Sequence, residues 1–266
     1  MTAGKPRAVA VHDEQVDLFE RRYEELRRDP YHSPFTYSRR KIEQVLGRYL
    51  DPLPDGARLL DVGCGTGDLL SRLGRRFECA GCDPSDEMLE RARKHNPGAA
   101  FTRATAEELP YGDGAFDVVL CIEVIRYLAV PEAALREIAR VLAPGGLALV
   151  TFAPARSTTL YPLVNKLTSR VEVPGMTHVR QYFHTAGEAE QLVATAGLER
   201  SELHARFFGP FIYLSRLTRA GTSGLLRRWE RLDDRLAEKP GLRELANVFV
   251  VAAWKPATSS TSPAPH

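Results

Sequence analysis

Long apolar runs are missing from this chain: nowhere do 18 consecutive apolar residues occur, so a transmembrane helix is excluded. The N-terminal stretch MTAGKPRAVAVHDEQ also lacks the apolar core of a secretory signal, and the expected compartment is the cytoplasm. Neither sign of charge is in excess. With 36 Lys and Arg against 34 Asp and Glu, the net charge of +2 gives too weak a field to gather nucleic acid or an anionic membrane. The local basic runs Arg39-Arg40-Lys41 and Arg227-Arg228 read as solvated helix faces. Cysteine is scarce, and only Cys79 and Cys82 have ligand-like spacing. Without a second C-x-x-C or an H-x-x-x-H, that pair lacks the set a zinc site needs. It lies in a strand-like run, so Cys79 and Cys82 are expected as small buried side chains, with no metal. No internal repeat is present.

What the chain does contain is an ordinary globular composition, 44% hydrophobic and 26% charged, over 266 residues, enough for one large α/β domain. Residues 1–12 read as disordered. Val16, Phe19, Tyr23 and Leu26 recur at helical spacing within 13–29, and Ile42, Val45, Leu46 and Tyr49 do so within 37–50. Beyond that, short apolar strands alternate with helices: strands at 57–62, 77–82, 99–104, 116–121 and 147–152. Ser85 is an N-cap before one helix, Pro131 opens another, and Thr185 with Glu188 forms a capping box before a third. A sixth strand spans 198–207 and a last one 247–254. Alternation of this kind implies a parallel sheet. Residues 13–255 are thus one domain, with an N-terminal helical lid at 13–50 and cap insertions at 154–181 and 209–243. The tail 256–266 has a disordered composition.

Residues 59–67 read Leu-Leu-Asp-Val-Gly-Cys-Gly-Thr-Gly, three alternating glycines between a strand and a helix. Glycines there permit a tight turn and close approach of a ligand to the backbone. A dinucleotide fingerprint needs its third glycine one position later, and a P-loop needs Lys where Asp68 stands. With Asp61 and Asp68 and no cation, the turn suits a ligand whose reactive end is cationic. Asp83 ends the second strand, where a carboxylate can take both hydroxyls of a ribose.

These residues, together with Gly81-Cys-Asp83-Pro-Ser-Asp-Glu-Met88, Ala106-Glu-Glu-Leu-Pro110, Phe116-Asp-Val-Val119 and Leu142-Ala-Pro-Gly-Gly146, resemble successive motifs of the class I S-adenosylmethionine (SAM)-dependent methyltransferases, in their ubiquinone/menaquinone-biosynthesis-like group. The resemblance covers about 57–153 and the C-terminal helix and strands. It implies a Rossmann-like, doubly wound, seven-stranded sheet, mostly parallel with an antiparallel last strand. It implies SAM as cofactor and S-adenosylhomocysteine (SAH) as product. Asp61, Gly63, Gly65 and Gly67 would line the methionine part. Asp83 would hold the ribose, and Cys64, Pro84 and Met88 belong to the same cofactor set. Thr105, Ala106 and Glu107 would border the adenine, and Cys121, Ile122 and Glu123 would follow the fourth strand. Two positions depart from the family: Thr105 stands where an Asp often meets the adenine, and Tyr127 where many relatives carry His.

The implied reaction is an in-line displacement at the SAM methyl carbon. Positioning supplies about 7–11 kcal/mol of such a barrier, a general base only about 10²–10⁴-fold. Base candidates are His178, His184 and Tyr127, with His204 and Glu123 behind them. The aromatic set Tyr23, Tyr31, Phe35 and Tyr37 is expected either as a lid facing the sulfonium, with Tyr31 in the cofactor set, or as a packing seam. Phe207, Phe208, Phe211 and Tyr213 are expected to line the pocket of a small, partly apolar acceptor such as a natural-product or quinone-like metabolite. A rival reading is a SAM-binding enzyme of this fold that catalyses a cyclisation or pericyclic step. A regulator that binds SAM without catalysis and a nicotinamide oxidoreductase are weaker alternatives. No Asn/Asp-Pro-Pro-Tyr/Phe follows the fourth strand, which speaks against a nucleic-acid substrate.

Overall fold

The computed structural model describes residues 7–168, 179–209 and 223–257. Three helices come first: α1 (Arg7–Asp13), α2 (Val16–Arg28) and α3 (Pro34–Leu50). The stretch expected to be disordered is therefore helical from residue 7 onward. Helix α3 starts three residues earlier than its apolar periodicity indicates. Ser33 Oγ accepts the Thr36 N–H at 3.3 Å, Thr36 Oγ1 accepts the Ser33 N–H at 2.9 Å, and Pro34 fills the first turn.

Then follow β1 (Arg58–Val62), α4 (Asp68–Leu73), β2 (Glu78–Asp83), α5 (Asp86–His95), β3 (Ala100–Arg103), β4 (Phe116–Cys121), α6 (Pro131–Val141), β5 (Leu142–Phe152), α7 (Tyr161–Thr168), α8 (Ala186–Thr195), β6 (Glu199–Arg206), α9 (Ser223–Ala237) and β7 (Val248–Trp254). Ser85 caps α5 by accepting the Met88 N–H at 3.0 Å, and the Thr185–Glu188 box caps α8. The strands form one sheet in the order β3-β2-β1-β4-β5-β7-β6. Neighbours from β3 to β5 are parallel; β7 runs antiparallel to both β5 and β6. This is the doubly wound arrangement expected, with the antiparallel last strand inserted inside the edge.

Strand residues alternate between two cores. Leu60, Val119, Cys121 and Val150 face α6 and α8, whereas Leu59, Val118, Leu120 and Leu149 face α3, α4 and α5. The chain order reverses at β1 and β4, and a crevice opens at the carboxyl ends of strands at such a point. Among the described residues no helix is long and apolar enough to cross a membrane.

One basic run departs from expectation. Lys41 is not on a solvated face but fully buried. Its ammonium lies 2.6 Å from Asp234, 3.4 Å from Glu230 and 3.9 Å from Asp233, all on α9. Asp233 also accepts the Tyr37 hydroxyl at 2.7 Å and the Phe208 N–H at 2.7 Å. Helix α9 is thus clamped to α3 by charge.

Candidate functional site

A cavity of about 720 Å³ opens at the carboxyl ends of β1 to β4. Its floor begins with the turn after β1. Gly63 and Cys64 both donate to the Cys82 carbonyl, at 2.7 and 3.0 Å, which ties the turn to β2. Gly63 has a φ of +73°, and a Cβ there would strike Val124 at 2.3 Å. Gly65 has a φ of +53°, and its missing Cβ would meet nothing within 4 Å. A ligand can therefore lie directly on the Gly65 backbone. Gly67 does not line the cavity; it is the N-cap of α4, where a Cβ would collide with Asn96 at 2.5 Å.

Asp83 shapes the turn as well as the cavity. One of its carboxylate oxygens accepts the Gly65 N–H at 3.0 Å and the other the Ser85 N–H at 2.9 Å. A carboxylate offers about four lone-pair sites, so two stay available to a ligand. Burial raises its pKa against the pull of those two N–H groups. Asp61 is almost fully buried, and burial, offset in part by the Arg39 guanidinium and reinforced by the Asp83 carboxylate, pushes its carboxyl up to about 7. Asp68 is occupied otherwise: Arg27 and Arg72 both pair with it, so its charge is already balanced.

Pro84, Met88, Thr105, Ala106, Glu107, Ile122 and Glu123 line the same cavity. Glu123 has a left-handed φ of +66°, an uncommon conformation for a residue with a side chain, and its N–H donates to Thr151 Oγ1 at 2.6 Å. Cys121 does not reach the cavity. Strand alternation turns it into the core beneath, wholly buried. All four cysteines are free, and burial pushes the Cys79 and Cys82 thiols up to about 11 and about 12.

The aromatic set divides between the two expectations. Tyr23 and Phe35 line the cavity, with Arg39 donating to the Tyr23 hydroxyl at 2.8 Å and Arg22 over the Phe35 ring. Tyr31 and Tyr37 lie in the packing seam instead. Tyr31 is held off the cavity by its bond to Glu230 and by the Arg40 and Arg227 cations on its ring. Tyr127 lines the cavity; burial pushes its phenol up to about 12, so it is a neutral donor at neutral pH.

The histidines also change places. His184 does not line the cavity: its backbone bridges Ala153 and Ala155, its ring packs edge-on to Phe152, and its Nδ1 is buried without a partner among the described residues. His204, on β6, is bonded to Tyr49 of α3, outside the cavity. His178 lies outside the described residues, as do Phe211 and Tyr213. Phe207 and Phe208 are core residues rather than pocket lining. Sequence reasoning missed His12. It sits on α1 in the cavity, stacked on Phe19 and edge-on to Tyr127 at 5.0 Å. Arg39 was likewise missed, hidden in a basic run that gave no sign of which cation turns inward.

A family described as a methyltransferase domain matches residues 60–150. The chain is 33% identical over 171 residues to a ubiquinone biosynthesis O-methyltransferase of Parvibaculum lavamentivorans, covering 61% of this chain and 66% of that protein. It is 30% identical over 174 residues to one from Rhizobium etli, covering 62% and 69%. The chain belongs to the class I SAM-dependent methyltransferases, in their ubiquinone-type group. The chain covers 66% of the length of the first two curated relatives and 57% of the third. The fold matches a SAM-dependent methyltransferase of Thermotoga maritima, described as a possible histamine N-methyltransferase, at TM-score 0.60 and 22% identity, over 93% of this chain and 99% of that one. It also matches the [4+2]-cyclase SpnF at TM-score 0.51 and 25% identity, over 77% of each chain. SAM is the cofactor of this methyltransferase family, and the donor set fits it: a bare Gly65 backbone, one unbalanced buried carboxylate and Asp83 with spare lone pairs.

Proposed function

We propose that this protein transfers the SAM methyl group to a small-molecule acceptor. The observation that carries the reading is that one continuous cavity joins the Asp61–Asp83 crevice to a second wall formed by Arg126, Tyr127, Tyr161 and Gln181. Its volume falls within the roughly 300–1,000 Å³ of small-molecule sites. Asp61 and Arg39 would hold the charged amino-acid end of the cofactor, Asp83 the ribose hydroxyls, and Thr105 to Glu107 the adenine. Bound there, the cofactor supplies an electrophilic methyl group on a positively charged sulfur.

The chain's own residues position the acceptor and handle its proton. His12 is the base this reading favours. The Ala8 carbonyl, 2.6 Å from its Nδ1, can only accept, so Nδ1 carries the proton and Nε2 is left to receive one. Tyr127, held neutral, orients rather than deprotonates. Calorimetry and acceptor screening test the reading: SAM binds and NAD does not, and an acceptor gains the mass of one methyl group. NAD binding without SAM binding would overturn it. The likeness to a [4+2]-cyclase supports a second reading, in which SAM is required but the product is an isomer of the substrate with no added mass.

A pH dependence follows from Asp61. A cationic ligand needs its ionised form, and in the free protein the carboxyl titrates at about 7. SAM affinity is therefore expected to be full above about pH 8 and to fall as pH drops through 7, by up to about tenfold per unit. Asp61→Asn should flatten that profile at low affinity. It should also melt higher than wild type at pH 8 without ligand, because the ionised carboxylate that burial opposes is gone. An unchanged pH profile in Asp61→Asn would exclude this role.

A further inference from the structure

Beyond the cofactor crevice the cavity ends on a wall with two unpaired polar atoms. Arg126 lies on the 3-10 turn Ile125–Tyr127 after β4. One of its terminal guanidinium nitrogens pairs with Glu123, but its Nε is buried with no hydrogen-bond partner among the described residues. Gln181 stands beside it, since the next residue, Tyr182, donates its N–H to the Arg126 carbonyl at 2.8 Å. The Gln181 side-chain NH2 donates to the Tyr161 hydroxyl at 3.0 Å, while its Oε1 is buried with no hydrogen-bond partner among the described residues.

This wall is rigidly built. Buried Asn165 on α7 accepts the Gln181 N–H at 3.2 Å and donates to the Val179 carbonyl at 3.2 Å, so both functions of its amide hold the segment that carries Gln181. The strained Glu123 in turn fixes the Arg126 guanidinium through their ion pair. Folded proteins rarely leave buried donors and acceptors unmatched, and an orphan donor and an orphan acceptor from two residues lining one cavity are two points that a ligand can meet.

We propose that Arg126 and Gln181 form the acceptor-recognition subsite, and that the acceptor is a neutral molecule presenting a carbonyl oxygen beside an N–H or O–H group. The carbonyl oxygen takes the Arg126 Nε–H, and the neighbouring donor reaches Gln181 Oε1. Charge decides against a carboxylate. Glu123 already balances Arg126, and a further anion would face the Glu123 carboxylate without a proton to offer Gln181. Arg126 and Gln181 thereby act as specificity-determining residues, with Glu123 and Asn165 as positioning residues. The assignment rests on the methyltransferase reading, because the subsite shares its cavity with the cofactor crevice.

The test is calorimetry on full-length protein saturated with SAH. The probes are matched triplets on benzene, naphthalene and indole frames: the primary carboxamide, which carries an N–H on the same edge as its carbonyl oxygen, the N,N-dimethyl carboxamide and the carboxylate. On at least one frame the primary carboxamide should bind about tenfold more tightly than both partners, the cost of one missing hydrogen bond that leaves a buried acceptor unmatched. Gln181→Leu should abolish the preference over the dimethyl amide. Arg126→Lys keeps the charge but loses the Nε–H, and should weaken all carbonyl probes. SAH affinity within about twofold of wild type reports an intact fold, and Gln181→Leu serves if Arg126→Lys does not fold. Equal binding across every triplet, a preference for the carboxylates, or a preference that survives Gln181→Leu would each overturn the proposal. Failure of wild-type protein to bind SAH would instead overturn the methyltransferase reading itself.

Discussion

Asp83→Ala is expected to bind SAM about 10²–10⁴-fold more weakly than wild type. Two ribose hydroxyls each lose a hydrogen bond to a charged group, at about 1.5–3 kcal/mol apiece. The same carboxylate also holds the Gly65 and Ser85 N–H groups, so the turn itself loosens when it is removed. Stability should not follow affinity downward to the same extent, because burial opposes the ionised form of Asp83 in the ligand-free protein. Calorimetric titration with SAM and with SAH, beside a thermal melt without ligand, separates the two effects. Affinity within threefold of wild type would remove Asp83 from the cofactor site. Asp83→Asn is the informative companion: it keeps the shape and one acceptor oxygen, and should fall between the two.

Lys41→Met is expected to lower the unfolding free energy by about 3–5 kcal/mol, the usual cost of leaving buried charges unpaired. No part of Lys41 is exposed, and three carboxylates, Glu230, Asp233 and Asp234, gather round its ammonium. Burial alone would raise the Glu230 pKa, yet bonds from Tyr31 and Arg40 and the charges of Lys41 and Arg40 hold it down to about 2. Its depressed pKa contributes stability that is complete above the ordinary value of 4.5 and lost as pH falls toward 2. In Lys41→Met the Glu230 pKa rises back toward 4.5, so its acid loss of stability should be smaller and should end at higher pH than in wild type. Urea denaturation from pH 3 to pH 8 measures both effects. Lys94→Met removes an exposed pair with Glu90 on α5 and should leave the midpoint unchanged. If Lys41→Met matched that control, the clamp between α3 and α9 would be incidental.

The glycine turn and the Asp83 corner of the proposed cofactor site were legible because their signals are local. Gly63 and Gly65 are required by the backbone they occupy, and Asp83 by its place at a strand end next to that turn. Ser85 and the Thr185–Glu188 box announce helix starts through bonds that span only three residues. Strand alternation was equally readable, down to the near-continuous apolar β4.

Long-range choices were not legible in the same way. Tyr23 and Tyr31 look alike in sequence, yet one lines the cavity and the other is drawn away by Glu230, which lies 199 residues further along the chain. Lys41 reads as one more surface cation until α9 brings its carboxylates. His12 sits in a stretch whose composition gives no helix signal, and it enters the cavity only by stacking on Phe19 and Tyr127. His184 has the reverse history: a promising position at a helix entry, turned inward against Phe152. By itself, then, the sequence determined the sheet, the glycine turn and the class of cofactor, because each depends on backbone conformation and near neighbours. The tertiary structure alone decided which aromatic, cationic and imidazole side chains face the cavity, because that depends on partners far away in the chain, whose pairing follows from packing rather than periodicity.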